Sequence, residues 1–159
     1  MSRRTEMILG ILTTLAGGGI YLLFRPRVLL LFAVADWMGC GECVDACRAW
    51  VANVQFSDFV VYSLPCALWV TAYLLLMDAL FRGESQFTRL CWTSVIPVVG
   101  IGSELLQGLG VLPGTFDKAD LLCYVLPYGI YILTASPPTP LRRARGVSTN
   151  HQTTKRLNN

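Results

Sequence analysis

Apolar residues in this chain gather into long runs joined by short polar links, a pattern that predicts membrane-spanning helices. The first run, Met7–Phe24 (MILGILTTLAGGGIYLLF), is uncharged. At about 1.5 Å rise per residue it nearly crosses a hydrocarbon core of roughly 30 Å. A basic start before an apolar run is also the shape of a signal peptide. The FRPRV that follows offers no small-residue cleavage site, so the run is expected to remain a helix. The second run, VLLLFAVADWMG, ends after about a dozen residues and suits an interfacial or re-entrant segment. Phe59–Phe81 is a full span with Asp58 as a candidate N-cap. After RGESQFTR comes Leu90–Leu112, and after the turn PGTFDKAD comes a last run that ends at Ala135 and starts near Lys118.

The expected architecture is therefore all-α: an integral membrane four-helix bundle with an extra helical segment between its first two helices. Its spans fall at about 7–24, 59–81, 90–112 and 118–135. Residues 1–136 make one polytopic domain, and 137–159 form a polar, basic tail with the composition of a flexible segment.

Composition agrees. Hydrophobic residues make up 53% of the 159 and charged residues 14%, with a mean hydropathy of +0.51. A soluble domain carries about 25% charge. The net charge of +3 is concentrated at Arg3, Arg4, Arg82, Arg89 and the tail, where Arg142, Arg143, Arg145, Lys155 and Arg156 lie. The opposite ends of the spans carry Arg25, Arg27, Arg48 and Lys118 beside Asp36, Glu42, Asp45, Asp58, Asp117 and Asp120. The positive-inside rule then puts both termini in the cytoplasm, although Arg25 and Arg27 count the other way. No continuous basic face exists of the kind a nucleic-acid site needs.

Polar chemistry inside the spans is concentrated in Gly102–Leu122 (GSELLQGLGVLPGTFDKADLL). Glu104 and Gln107 are three apart and share a helix face. Glu104 lies roughly 21 Å beyond Leu90, in the outer half of its span, and an ionisable group there needs a partner or a watery cavity. Asp117 and Asp120 open the last helix as caps or dipole partners, and Asp58 and Tyr62 start the second span on the same side. The pattern Glu-Leu-Leu-Gln at Glu104–Gln107, followed by a glycine-containing turn and FDKAD, resembles the VanZ-like family of small polytopic membrane proteins over Asp58–Leu133. Asp117 and Asp120 match that family's paired aspartates. The arginine often found before the first aspartate and the asparagine before the final glycine are absent here. The resemblance implies the four-helix fold and a bacterial inner-membrane location. Family members are associated with glycopeptide resistance, and similar small proteins serve as membrane subunits of anti-phage systems beside a soluble partner.

Catalytic groups are sparse. The single histidine, His151, lies in the tail, which removes a Ser-His-Asp or Cys-His arrangement from the spans. Glu104 paired with Asp117 or Asp120 offers an acid and a base; a hydrogen-bonded lock between the last two helices is the plainer role. Asp78 is expected to face a helix interface or Arg82. Gly17–Gly19 reads as close helix packing, and Pro65, Pro97 and Pro127 as kinks that shape the bundle.

Between Asp36 and Trp50, DWMGCGECVDACRAW sets Cys40, Cys43 and Cys47 on one helical face. That spacing is not the ferredoxin run, and no fourth cysteine or histidine lies nearby to close a zinc site. Packing of an interfacial helix is the expected role, with a disulfide or a metal as alternatives. No cofactor is expected. Trp37, Glu42, Asp45, Arg48 and Trp50 make a candidate contact surface on the outer loop, and Arg142, Arg143 and Arg145 make one on the tail. The function expected is a sensing or scaffolding membrane subunit that binds the bilayer, copies of itself and a soluble cytoplasmic protein. The competing reading is an enzyme, or a lipid- or glycopeptide-binding protein, that acts in the outer leaflet through Glu104, Gln107, Asp117 and Asp120.

Overall fold

A computed structural model describes residues 1–27 and 30–135, and every described element is helical. In chain order these are α1 (Arg3–Phe24), α2 (Leu30–Trp37), α3 (Gly41–Trp50), α4 (Leu64–Leu80), α5 (Gln86–Gly108) and α6 (Lys118–Ala135). A π-helical turn, Phe59–Ser63, runs without a break into α4. Among the described residues three helices are long and apolar enough to cross a membrane: Arg3–Phe24, Phe59–Leu80 and Gln86–Gly108. At about 1.5 Å per residue, a 22-residue helix is some 33 Å long. The fourth expected span, α6, has the bounds read from the sequence, but its first turn carries Lys118 and Asp120 and shortens its apolar stretch.

Helix ends follow local chemistry. Ser2 caps α1, its side chain accepting the Thr5 N–H, and extended Arg25 stops the helix ahead of Pro26. The third span was expected over 90–112, yet α5 is shifted toward the N-terminus at both ends. Ser85 captures the Thr88 N–H and starts the helix inside the polar link. At the other end Gly110, at φ 71°, sends its N–H to Gln107 O while Val111 N–H reaches Leu106 O. This pair of hydrogen bonds around a left-handed glycine is the Schellman stop, and it outweighs the apolar Val111 and Leu112.

The long helices pack antiparallel along the chain. Gly10 and Gly17 of α1 meet Leu76 and Trp69 of α4, and Glu6 meets Arg82 just beyond it. A Cβ at Gly17 would sit 2.7 Å from Trp69 Nε1, whereas Gly18 and Gly19 face open space, so one glycine of the triplet makes the close approach. Tyr124 of α6 lies over Gly100 of α5, and Tyr128 OH donates to Ser94 Oγ at 2.7 Å. The surface is apolar: Leu15, Val99, Ile130 and Leu133 are each more than half exposed, while Glu6, Ser63, Thr93 and Glu104 are buried. Polar groups inside and leucines outside are the reverse of a soluble domain's habit.

The prolines have local consequences. Pro65 has no N–H to offer the Val61 carbonyl, and Arg25 replaces it, with Nε donating to Val61 O at 3.2 Å and a terminal nitrogen to Tyr62 O at 2.7 Å. The same guanidinium lies over the rings of Tyr62 and Tyr21. Two long-helix ends therefore meet at one residue of the loop.

α2 and α3 are too short to span, in keeping with an interfacial segment. They are pinned to the bundle through cations. Arg27 pairs with Asp36 of α2 and Asp45 of α3. Arg48 donates to Leu22 O at 2.6 Å and Arg25 O at 2.9 Å, closing the free carbonyls at the end of α1.

Candidate functional site

Side chains with chemistry collect at the two ends of the helices. The end that carries α2, α3 and the α5–α6 turn holds the residues singled out from the sequence. Glu104 is buried on the last turns of α5, and its Oε2 accepts the backbone N–H of Asp117 at 3.3 Å. Asp117 in turn caps α6, its Oδ1 accepting the Ala119 N–H at 2.7 Å. The carboxamide of Gln107 lies against Gly114, whose φ of 137° favours glycine, so Gln107 supports the same turn. Phe116 closes over Gly108 on the other side.

Asp120 follows one turn into α6, half-buried, with an Oδ1 that has no hydrogen-bond partner among the described residues. Behind it, Tyr124 of α6 and Cys66 of α4 lie close together, and the Cys66 thiol reaches Tyr62 O at 4.0 Å. Cys66, Cys123 and Tyr124 thus join a group that the sequence presented as carboxylates alone. Their spacing along the chain gave no sign of this, because α4 and α6 meet only in the fold.

The remaining expected members stand apart. Asp58 is exposed, helical at φ −53°, and makes no side-chain capping bond, so the π-helical turn begins without the expected N-cap. Tyr62 is exposed and engaged with Arg25. Glu104, Gln107 and Asp117 share one turn with Asp120 just beyond it, whereas Tyr62 is taken up by Arg25 and Asp58 precedes it by one turn. Among the described residues no carboxylate at this end is hydrogen-bonded to a nucleophile, and His151 lies outside them.

Cys40 precedes α3, and Cys43 and Cys47 lie on it; all three are exposed and free. Among the described residues no group of three or more His, Cys, Asp or Glu is placed to hold a metal ion. Trp37 and Trp50 are each 87% exposed, and Glu42 is exposed beside them. Asp45 and Arg48 are held by Arg27 and by the α1 carbonyls, so they fasten α3 rather than face outward unpaired. Arg142, Arg143 and Arg145 lie outside the described residues.

At the opposite end is a network that the sequence showed only in part. Asp78 and Arg82, four apart on and just beyond α4, pair at 3.4 Å, as their spacing allows. Arg82 also pairs with buried Glu6 of α1 and donates to Met1 O at 2.8 Å. Asp78 Oδ1 accepts from Tyr131 of α6 at 2.8 Å and lies 3.6 Å from Arg89 of α5. Arg89 reaches Ala135 O at 3.2 Å. Four helices are joined here through side chains. Glu6 was missed because it precedes the first apolar run and its partner is distant in the chain.

No protein-family model, curated protein or solved structure matches this chain.

Proposed function

We propose that this chain is a non-catalytic, four-span membrane subunit, VanZ-like in its second half, that senses or scaffolds and recruits a soluble cytoplasmic protein. The observation that carries this reading is the use of Glu104: its buried carboxylate is committed to a backbone N–H of the α5–α6 turn. A residue so engaged locks two helices, and the acid–base pair that an enzyme would need is left without its central member. The exposed Trp37 and Trp50 on an anchored α2–α3 unit support an interfacial surface, since tryptophan favours the headgroup level. A bacterial inner-membrane setting, association with copies of itself and a part in anti-phage defence belong to the same proposal.

Two experiments test it. Tags on the two chain ends should appear on the same, cytoplasmic, side of the membrane; opposite sides would reduce the spans to three. Affinity capture from detergent should bring down a stoichiometric soluble protein, and its absence would refute the scaffold.

The unpartnered Oδ1 of Asp120, beside Cys66 and Tyr124, favours a second reading in which the same end binds a lipid or peptide headgroup or acts on it. Glu104→Ala separates the two. The lock requires loss of thermal stability, whereas the headgroup reading requires unchanged stability with lost function.

A further inference from the structure

The start of α3, Cys40-Gly41-Glu42-Cys43, breaks a local rule. Cys40 holds the N-cap position, where serine, threonine, aspartate or asparagine would accept an N–H of the first turn, and its side chain makes no capping bond. Its thiol only approaches Met38 O, at 3.8 Å. Cys43 stands third in the helix, the position whose side chain meets that of the N-cap in a capping box. Both thiols are exposed and free.

The surrounding chain holds this turn without using either sulfur. Gly39, at φ 74°, turns the chain ahead of it, and the Cys40 N–H donates to Ala35 O at 2.8 Å. The Val44 N–H reaches Cys40 O at 3.0 Å and opens the helix. Asp36 lies against Gly41, where a Cβ would collide with its carboxylate, and Arg27 pairs with that carboxylate. A glycine next to Cys40 is thus a steric requirement of the fold, whereas the two cysteines are not.

Spacing decides which thiols can bond. Side chains three or four apart on a helix have Cβ atoms about 5–6 Å apart, and a disulfide needs about 3.5–4.5 Å. Cys43 and Cys47 both lie inside α3 and are held at the larger separation. Cys40 stands outside the regular helix, after a glycine with open space around it, so a small backbone rotation brings its sulfur to Cys43. Two cysteines so spaced at a helix start suit exchange chemistry, because the first N–H groups hold negative charge on sulfur.

We propose that Cys40 and Cys43 form a reversible redox couple, closed by exchange with a low-molecular-weight disulfide and opened by the corresponding thiol, with Cys47 left outside it. In the closing direction the Cys40 thiolate attacks one sulfur of the disulfide and expels a thiolate. The Cys43 thiolate then attacks Cys40 Sγ and expels the second. One S–S bond breaks and one forms, and the electrons and protons given up by the two cysteines leave on the two thiols released. The couple involves neither the Glu104 turn nor a particular side of the membrane, so it stands or falls apart from the function proposed above.

The test is a titration of the full chain in detergent across mixtures of reduced and oxidised glutathione, with free thiols trapped by a maleimide and located by peptide mass spectrometry. Closing the couple is intramolecular, so the Cys40–Cys43 bridge should be half formed at an oxidised glutathione level at least about tenfold below that needed to modify Cys47. Excess reduced glutathione should reopen it. Cys47→Ser should titrate like wild type. Cys43→Ser should accumulate a mixed disulfide of glutathione on Cys40, because the sulfur that would expel it is gone. Parallel modification of all three thiols, a Cys43–Cys47 bridge, a bridge between two chains, or Cys43→Ser without the mixed disulfide would each overturn the proposal.

Discussion

The two ends of this helical assembly handle buried charge in different ways. Around Asp78, charges meet other charges: Glu6, Arg82, Asp78 and Arg89 come from or adjoin three different helices, and Tyr131 adds a fourth. Around Glu104, charge meets backbone: one carboxylate holds a turn N–H, Asp117 caps a helix, and Arg25 and Arg48 satisfy carbonyls. The first arrangement joins helices to one another, whereas the second shapes loops and helix ends. Removing one member should therefore have different reach at the two ends.

The largest effect is expected at Asp78, whose side chain is only 15% exposed. Asp78→Ala leaves Arg82 and Arg89 short of a counter-charge at a helix junction, at a cost of about 3–5 kcal/mol. Thermal unfolding in detergent should show a marked drop; a change below about 1 kcal/mol would erase the contrast between the ends. Glu104→Ala comes next. It strands the Asp117 N–H and removes a buried acceptor, a loss of about 1–3 kcal/mol, while Glu104→Gln keeps an acceptor and should recover most of it. Equal losses in both variants would mean that charge, not hydrogen bonding, matters there.

Tyr131→Phe sharpens the comparison without emptying space. It deletes one hydrogen bond to Asp78 and should cost about 1 kcal/mol in the same unfolding assay. The smallest effect is expected for Arg27→Ala. Its pairs with Asp36 and Asp45 are substantially exposed, so the whole chain should lose less than about 1 kcal/mol. That small loss should shrink further in high salt, and the α2–α3 unit should become more open to protease. An effect as large as that of Asp78→Ala would show that the loop end also holds the helices together.

The sequence revealed the parts that depend on long runs. The helices beginning near Met7, Phe59 and Lys118 fall close to where unbroken hydrophobicity places them, and the short α2–α3 unit follows from a run too brief to span. The limits of α5 were misread, since hydropathy ignores Ser85 as a cap and Gly110 as a stop. The Glu104–Asp117 link was legible because both residues flank one short turn. The Glu6–Arg82 pair and the approach of Cys66 to Tyr124 were not, since each depends on which faces of distant segments meet.

Arg25 gives the loop end a mechanical character. Its backbone carbonyl is held by Arg48 of α3, and its side chain holds the carbonyls of Val61 and Tyr62 in the π-helical turn before Pro65. α3, the end of α1 and the start of α4 are thus linked through a single residue, like gears on one axle. A pull on Trp50 of α3 reaches the π-helical turn before Pro65 through three hydrogen bonds.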